Sequence, residues 1–557
     1  MPSRVFFPPR ELPVAGRPFV NLSFAMNYAI GGLDVRVYHL TNIAIHLACA
    51  LLLFGLVRRT LSGRKIARHL EANADGLAFT CALIWVLHPL NSEAVDYLTE
   101  RTESMMALFY LLTLYASVRA LAFKHRVFWQ AVAVASSALG MGCKESMITV
   151  PLMVLLYDRT FAFDSWKDSA RARWKLYTLL AATWIELAAL VWAGPRGHSA
   201  GWSTDVRPWT YLLNQSEMIV RYLGLSVFPR RLIVNYGFPR PLALTDVLPY
   251  VAVVILLLAA AGAALVKRPK AGFLGLWFFL TLAPTTSIVP IATEVGAERR
   301  MYLPLAAIVV LAVVSFALVG ERLLFARGRT RLRAAVLAAV AAVLAAATIV
   351  RNREYASALT LAQTVLDRQP GGVGHYLVGT ELLAVGRRDE GVAHLREALG
   401  QDPRASYALG VELYREGKLA DAVAALQEFI RDQPELLEVI SARMLIGRAY
   451  TREGKLRDAA DVFARILTMV PSYTDAEGGL ADALFAGGRL DEAIAHYREF
   501  LRVHPEDFAA LTKVGVALAE TGHPDQALVA FRAAVRVDPT SEIARRNLEL
   551  AEAAAKR

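Results

Sequence analysis

The stretch YHLTNIAIHLACALLLFGLV, residues 38–57, contains no aspartate, glutamate, lysine or arginine. A transmembrane α-helix needs about 20 predominantly apolar residues, so this stretch is long enough to span a bilayer. Arg58 and Arg59 follow it at once, as is typical of the cytoplasmic end of a membrane helix. The stretch therefore predicts an integral membrane protein.

Further apolar runs follow, and together they predict a helical bundle of about ten crossings in residues 38–350. These runs are residues 76–90, 105–121, 127–143, 146–157, 174–193, 247–266, 271–291, 301–320 and 332–350. The composition agrees, because 55% of the 557 residues are hydrophobic and the mean hydropathy is +0.38, more than a soluble chain can bury. The three cysteines do not form a readable disulfide framework or metal motif.

The net charge of +11 lies largely in short clusters between the apolar runs, which excludes nucleic-acid binding as the favoured explanation. The clusters occupy residues 58–68, 119–126, 159–175, 267–270 and 322–333. All of them can lie on the cytoplasmic side if residues 127–157 form two short helices that turn at Lys144 and Glu145. Residues 211–228 must also lie along the outer interface.

This topology places three regions on the outer side: the N-terminal residues 1–37, the loop 194–246 and everything after residue 350. The Ala/Leu/Arg-rich composition favours a bacterial source. We therefore expect a multi-pass protein of the bacterial inner membrane whose C-terminal region is periplasmic.

Residues 355–557 repeat with a period of about 34 residues. In the unit 508–539, Gly515, Ala527 and Pro539 fall on the tetratricopeptide pattern. Five full units are readable, at 372–403, 403–434, 440–471, 474–505 and 508–539. A partial helix at 355–370 precedes them, and a capping helix at 541–555 follows them. Such helical hairpins stack into an α-solenoid, which predicts a protein- or peptide-binding surface.

The densest group of ionisable residues lies between the second and third apolar runs. Glu93, Asp96, Glu100 and Glu103 are spaced by three, four and three residues, so one helix would present all four carboxylates on one face. Such a face could supply a general base for a hydroxyl or hold a cation near a phosphate. The alternative is a solvated acidic face without chemistry.

Two other charged groups, Lys144-Glu145 and Glu298-Arg299, also lie on the predicted outer side. Each is either a structural ion pair or part of a site in which basic side chains hold a lipid-linked phosphate while carboxylates activate an acceptor. Asn42 and His46 lie one helical turn apart and are expected to bond inside the bundle. No third ligand at metal-site spacing accompanies them.

Several short motifs occur in a fixed order along the chain: RPFVNLS at 17–23, YHLTN at 38–42, HPLNSEAV at 88–95, RTE at 101–103, CKE at 143–145 and AERRMYLP at 297–304. In this order they resemble the transmembrane and tetratricopeptide-repeat-containing family and its bacterial, protein O-mannosyltransferase-like relatives. Residues 209–236 resemble the outer loop domain of that family.

The resemblance implies a glycosyltransferase fold of the GT-C type. It implies a polyprenyl-phosphate-linked sugar donor, with mannose the favoured sugar, and a Ser or Thr hydroxyl of an exported protein as acceptor, presented by the repeats. Whether a divalent metal is needed is left open. The matching motifs place Glu93, Arg101, Glu103, Lys144, Glu145, Glu298 and Arg299 at the site. With the acidic face, the catalytic candidates are Glu93, Asp96 and Glu103. Candidates for the donor phosphate or for ion pairs are Arg101, Lys144, Glu145, Glu298, Arg299, Arg17 and Arg221.

The sequence departs from the family's pattern at its start. The family carries paired carboxylates in a first outer loop that follows a first transmembrane helix. Here 16 residues precede Arg17, and Glu11 is the only carboxylate among them. We expect either a start that is internal to a longer gene or a catalytically inactive, membrane-anchored scaffold for periplasmic proteins. An O-antigen ligase or polymerase with repeats would share the lipid-linked donor, but it fits the motifs less well.

Overall fold

A computed structural model describes residues 16–122, 124–192, 201, 206–287, 289–323, 330–432 and 438–555. These residues form α-helices joined by short 3₁₀ and π segments, and no β-strand occurs among them. The predicted all-α fold is therefore confirmed. The chain divides into two compact units, Met1–Arg368 and Gln369–Arg557. Glu11, Pro434 and parts of the 194–246 loop and the 322–333 basic cluster lie outside the described ranges.

The first unit contains fifteen α-helices in its described part. They are α1 Pro18–Gly31, α2 Val35–Leu61, α3 Arg68–Ala72, α4 Ala74–Val86, α5 Ser92–Asp96, α6 Arg101–Arg119, α7 Arg126–Met141, α8 Val150–Tyr157, α9 Trp166–Trp192, α10 Pro208–Val227, α11 Leu244–Lys267, α12 Pro269–Thr286, α13 Pro304–Leu323, α14 Thr330–Glu354 and α15 Ala358–Arg368.

Four segments among the described residues are long and apolar enough to cross a membrane: Val35–Leu61, Trp166–Trp192, Leu244–Lys267 and Ala334–Glu354. Ala74–Val86 and Pro304–Val319 are shorter apolar helices. Exposed leucine, isoleucine and valine side chains along α11, such as Ile255 and Leu256, are consistent with a lipid-facing surface. The first unit is the membrane part of the protein, and the count of about ten crossings stays a prediction.

Helix α1 was not expected, because residues 1–37 were predicted to form an outer loop. Pro18 stands in the first turn of this helix, where its missing N–H costs no hydrogen bond. Gly32 ends the helix with φ of 59°, a left-handed conformation that glycine adopts without strain. The apolar residues between these two signals form a helix because they can pack on α2.

Four of the five basic clusters meet at one end of the first unit, which we call the basic end. Lys65 pairs with Asp164 at 3.0 Å, and Lys270 donates a hydrogen bond to the carbonyl of Lys65. The guanidinium groups of Arg59 and Arg119 both lie over the ring of Tyr115. This grouping agrees with the single-sided placement that the charge pattern predicted.

The segment 127–157 turns back on itself. Helix α7 ends at Met141, a 3₁₀ segment covers Glu145–Thr149, and α8 follows at once. The hairpin therefore reverses close to Lys144 and Glu145, as the charge pattern required.

The second unit is a series of helical hairpins. Its described α-helices are α16 Gly372–Ala384, α17 Arg388–Ala398, α18 Arg404–Arg415, α19 Leu419–Asp432, α20 Glu438–Arg452, α21 Leu456–Met469, α22 Thr474–Ala486, α23 Leu490–Val503, α24 Phe508–Glu520, α25 Pro524–Val537 and α26 Glu542–Ala555. The helix α15, which was expected with the repeats, belongs to the first unit.

Small residues allow the paired helices of each hairpin to approach closely. A Cβ atom on Gly515 would lie 2.6 Å from the Phe531 ring of the facing helix, so a larger side chain would force the two helices apart. Each hairpin covers the apolar face of the next, and Phe463, Ile466, Leu480 and Leu484 share one continuous core.

Candidate active site

The loop before α6 does not form the single helix that would align its four carboxylates. A 3₁₀ turn at Pro89–Asn91 precedes α5, Tyr97 is extended with ψ of 109°, and a second 3₁₀ turn covers Leu98–Glu100. The predicted acidic face of Glu93, Asp96, Glu100 and Glu103 is therefore wrong. The cause is tertiary structure, because distant residues bind these carboxylates: Arg299 pairs with both Glu93 and Glu100, whereas Glu103 pairs with Lys144.

Arg299 is the centre of the first group. Its Nη1 lies 2.5 Å from Glu93 Oε1, its Nη2 lies 2.6 Å from Glu294, and its Nε lies 3.0 Å from Glu100 Oε2. The backbone N–H of Arg299 also donates to Glu93 Oε2 at 2.9 Å. One guanidinium therefore joins three carboxylates, two of which come from the 88–103 loop.

Arg300 and Arg351 extend this group. Arg300 Nη2 donates to Glu294 Oε1 at 2.9 Å. Arg351 Nη2 donates to Glu298 Oε2 at 3.1 Å, and its Nη1 donates to Glu354 Oε2 at 2.5 Å. We call this set the outer network: Glu93, Asp96, Glu100, Glu294, Glu298, Arg299, Arg300, Arg351, Glu354 and Arg368, the last of which pairs with Glu354. Carboxylates outnumber guanidinium groups in it by six to four.

The carboxyl groups of the outer network also differ from one another in pKa. Burial alone would raise the pKa of Glu294, but the adjacent Arg299 and Arg300 lower that pKa to about 2. Burial raises the pKa of Glu298 to about 7 although Arg351 opposes this rise. Burial also raises the pKa of Glu93 against the effect of Arg299. Carboxyl groups of such different acidity are typical of sites that move protons.

Asp96 is the catalytic candidate that solvent can reach. Its side chain is half-buried, whereas the residue exposures of Glu93 and Glu103 are only 2% and 4%. Burial raises the pKa of Asp96 to about 6, with Arg351 opposing the rise. The Asn352 amide, in the orientation that satisfies its neighbours, donates to Asp96 Oδ2 at 2.8 Å and holds the carboxylate in place. Asp96 is therefore positioned to accept a proton from an incoming group.

Glu103 forms a separate buried ion pair with Lys144. Arg17 lies 3.8 Å from Glu145 at the neighbouring turn. These four residues thus form a second charged group between α1, α6 and the α7–α8 turn.

Arg101 lies inside the helical bundle, where it holds neighbouring helices together. It is fully buried and donates to Asn42 Oδ1 at 2.6 Å, Asn27 Oδ1 at 2.5 Å and the Tyr38 carbonyl at 2.9 Å. The Phe24 ring lies 4.3 Å from its guanidinium carbon. These contacts fasten α1 to α2 and α6, which is not the arrangement of a phosphate-binding arginine. The motif predicted Arg101 as a site residue, and the structure places it among these contacts between α1, α2 and α6.

Arg221 reaches the outer network indirectly. Its guanidinium lies 4.4 Å from the centre of the Tyr236 ring, and the Tyr236 hydroxyl donates to Glu298 Oε1 at 3.0 Å. The backbone N–H of Ile233 donates to the same oxygen at 2.5 Å. The loop after α10 therefore covers one side of Glu298.

Asn42 and His46 bond inside the bundle, as the sequence predicted. Asn42 Nδ2 donates to the Val95 carbonyl at 2.9 Å. His46 Nε2 lies 3.0 Å from the Val86 carbonyl, and its Nδ1 lies 2.6 Å from the Tyr302 hydroxyl. A carbonyl only accepts, so Nε2 carries the proton and Nδ1 accepts from Tyr302. No group of three or more His, Cys, Asp or Glu residues in the described ranges is arranged to hold a metal ion.

Sequence reasoning missed Arg351, Asn352 and Glu354. They stand in the segment RNRE that directly follows the last apolar run, and this run was considered only for its length. These residues could have been found, because they form a charged cluster at a helix end on the predicted outer side. Glu298 and Arg299 were selected by that same criterion.

The chain is similar to known proteins in its repeats and over part of its length. A tetratricopeptide repeat family model matches residues 376–436, 407–474, 444–508 and 479–542. The chain is 31% identical to the human protein O-mannosyl-transferase TMTC4 over 156 residues, which is 26% of this chain and 20% of that protein. It is 35% identical to mouse TMTC2 over 104 residues, or 18% of this chain and 11% of that protein.

Drosophila melanogaster Tmtc1 is 30% identical over 142 residues, or 26% of this chain and 15% of that protein. The matched segments thus span a fifth or less of the length of these relatives. Among solved structures, YrrB, described as a TPR protein with an unusual peptide-binding site, aligns with a TM-score of 0.31 and 18% identity, covering 34% of this chain and 97% of its own. The resemblance to the transmembrane and tetratricopeptide-repeat-containing, O-mannosyltransferase-like family is confirmed by the sequence matches and the repeats.

Proposed function

We propose that this membrane protein is a glycosyltransferase of the GT-C type that transfers a sugar, mannose in the first instance, from a polyprenyl-phosphate donor to Ser or Thr hydroxyls of exported proteins. The names of the similar proteins support the reaction class. The observation that carries the proposal for this chain is Asp96, a half-buried carboxylate with a raised pKa beside a network rich in carboxylates.

In this proposal Asp96 is the general base. Its carboxylate takes the proton of the acceptor hydroxyl as the hydroxyl oxygen bonds to the anomeric carbon of the sugar. The bond from that carbon to the phosphate oxygen breaks, and polyprenyl phosphate leaves. A base whose pKa is near the working pH is efficient in such a transfer. Glu93 and Glu103 are positioning residues here, because Arg299 and Lys144 hold them in buried ion pairs.

The donor phosphate needs a cation, and Arg299 is the proposed one. Its ion pair with Glu100 spans 3.0 Å, which is the longest of its three carboxylate contacts. Glu100 is also 15% exposed at its side chain, compared with 3% for Glu93. An entering phosphate would therefore replace Glu100 at Arg299 and leave Glu93 in place. Arg221 approaches the network through Tyr236, while Arg17, Lys144 and Glu145 belong to the second charged group and are not proposed to hold the phosphate.

The repeats are proposed to bind the acceptor protein on the periplasmic side, as the charge pattern predicts. Nucleic acid is not a proposed partner. The second candidate function is a catalytically inactive, membrane-anchored scaffold. It is favoured by the burial of Glu93, Arg101, Glu103 and Glu298, since buried and paired residues can be purely structural.

The experiment measures transfer by the whole chain in lipid nanodiscs, with polyprenyl-phosphate mannose and a Ser/Thr-containing peptide. Asp96→Asn keeps the size of the side chain but cannot act as a base, so we expect the rate to fall by about a hundredfold or more. Glu217→Gln is the matched control, because Glu217 forms an exposed pair with Arg240 and should leave the rate unchanged.

Equal rates for the Asp96→Asn variant and the unaltered chain would remove Asp96 from the mechanism. Absence of transfer by the unaltered chain, together with acceptor binding by the repeats, would establish the scaffold function in place of the enzyme.

A further inference from the structure

An apolar cavity of about 120 Å³ lies at the basic end of the first unit, far from the outer network. Side chains of α2, α12 and α13 line it, among them Leu56, Val57, Phe273, Trp277, Ala307 and Val310. Cavities of about 150 Å³ with such linings stay dry and bind apolar molecules. The cavity is therefore suited to a hydrocarbon group.

The cavity walls offer little to a polar ligand. The hydroxyl groups of Thr60 and Tyr157 lie at the wall and hydrogen-bond to each other at 2.8 Å. Ile66 and Leu70, from the segment that joins α2 to α4, add apolar side chains to the lining. A ligand inside would therefore be held by its apolar part.

The rim of the cavity is basic. Lys270 lines the rim, is exposed and donates to the carbonyl of Lys65. None of the described carboxylates forms an ion pair with Lys270, Arg64 or Arg68, although all three are exposed at this end. The Lys270 ammonium therefore has no carboxylate partner in the described part of the chain and lies beside an apolar cavity. This arrangement matches a ligand with a phosphate head and an apolar chain.

We propose that this cavity binds a segment of one acyl chain of an anionic phospholipid, with the lipid phosphate on Lys270. The occupant is a bilayer lipid and not the sugar donor, because the donor must reach the opposite end of α2. Asn42, which contacts the 88–103 loop through Val95, and Thr60 are separated by 18 residues of this helix. At about 1.5 Å per residue this separation is about 27 Å. The choice of a bilayer lipid over the sugar donor rests on the proposed transferase site, whereas the match between cavity and lipid does not.

The test uses the whole chain in nanodiscs that contain phosphatidylglycerol or phosphatidylcholine with identical acyl chains, and counts retained lipids by native mass spectrometry. We expect one phosphatidylglycerol to be retained in preference to phosphatidylcholine. Val310→Phe fills the cavity and should remove the retained lipid. Leu311→Phe is its control, because Leu311 is 43% exposed on the same helix and does not line the cavity.

Lys270→Gln should lower the preference for phosphatidylglycerol by about fivefold, the effect of one charge near a membrane surface. Lys267→Gln removes a neighbouring exposed charge that does not line the cavity and should leave the preference unchanged. Equal retention by the two phenylalanine variants, or equal losses for the two glutamine variants, would overturn the proposal. Displacement of phosphatidylglycerol by an equimolar polyprenyl phosphate would also overturn it.

Discussion

Two buried ionic clusters occupy opposite ends of the first unit, and they differ in how their charges are balanced. At the basic end, Arg173 Nη1 contacts both oxygens of Asp158 at 2.6 and 2.8 Å. Tyr177 donates to Asp158 at 2.6 Å, and Arg173 Nη2 donates to Ser117. The side chains of Arg173 and Asp158 are at most 1% exposed. This cluster contains one anion and one cation.

The outer network is built from similar pairs, but its carboxylates outnumber its guanidinium groups, and Asp96 remains half-buried. A balanced, enclosed pair fixes the geometry of the chain and has no free charge to give to a ligand. A network with an excess of one charge and with perturbed acidities can change its protonation or exchange one partner. The comparison teaches that both clusters bury charge, whereas an imbalance of charge distinguishes the cluster for which a function is proposed.

The largest expected effect is a loss of folding stability when the pair of Arg173 and Asp158 loses one member. Arg173→Met leaves the buried Asp158 carboxylate without its cation, which typically costs about 3–5 kcal/mol. Denaturant unfolding of the detergent-solubilised chain would measure this loss. Adding Asp158→Leu should recover most of the stability, because the pair is then replaced by apolar groups. A double variant as unstable as Arg173→Met would show that the pair contributes more than the avoidance of a lone charge.

The next effect concerns the pH dependence of transfer. A general base must be ionised, and burial raises the pKa of Asp96 from 3.8 to about 6. The rate should therefore rise about tenfold between pH 5 and pH 7 and then level off. Because the folded-state pKa exceeds the unfolded value, ionisation of Asp96 lowers stability as the pH rises from about 4 to 6. Slow transfer at low pH would thus not reflect unfolding caused by this group.

A flat pH profile between 5 and 7 would contradict the assignment of Asp96. The control is the residual activity of Asp96→Asn, which should lose the rise near pH 6.

The helices and the network were not equally predictable. Apolar runs of about 20 residues and the period of the repeats are local signals, so the positions of α2 and α24 followed from the sequence. The spacing of Glu93, Asp96, Glu100 and Glu103 is also local, but their partners are not. Arg299 lies 206 residues after Glu93, and Lys144 lies 41 residues after Glu103.

These distant pairings hold Glu93 and Glu100 together on Arg299 and set Glu103 apart on Lys144, and periodicity carries no information about them. Arg101 is a second residue whose contacts could not be predicted from local sequence. Its position in a motif suggested a site residue, whereas its contacts with Asn27 and Asn42 depend on how α1 packs, and α1 itself was not predicted.

A smaller effect is expected at Glu100, where the outer network is proposed to exchange a partner. Glu100→Gln removes a carboxylate that competes with the donor phosphate for Arg299. The KM for the donor should fall by about fivefold, the equivalent of about 1 kcal/mol, because Glu100 no longer competes for the partly buried Arg299, while kcat stays the same. A higher KM would mean that Glu100 holds Arg299 in its binding geometry and is not displaced.

The smallest effect is expected at the pair of Glu217 and Arg240, whose atoms are 2.9 Å apart, as close as those of several buried pairs. Its side chains are 35% and 64% exposed, so water and salt screen the attraction. Glu217→Gln should change the free energy of unfolding by no more than about 0.5 kcal/mol, measured in the same denaturant series as Arg173→Met. The two pairs differ by 0.3 Å in distance (2.9 and 2.6 Å) but far more in exposure, so the contrast tests burial as the main cause. A loss near that of Arg173→Met would show instead that the loop after α10 depends on this contact, and Glu217→Gln could then no longer serve as the neutral control for Asp96.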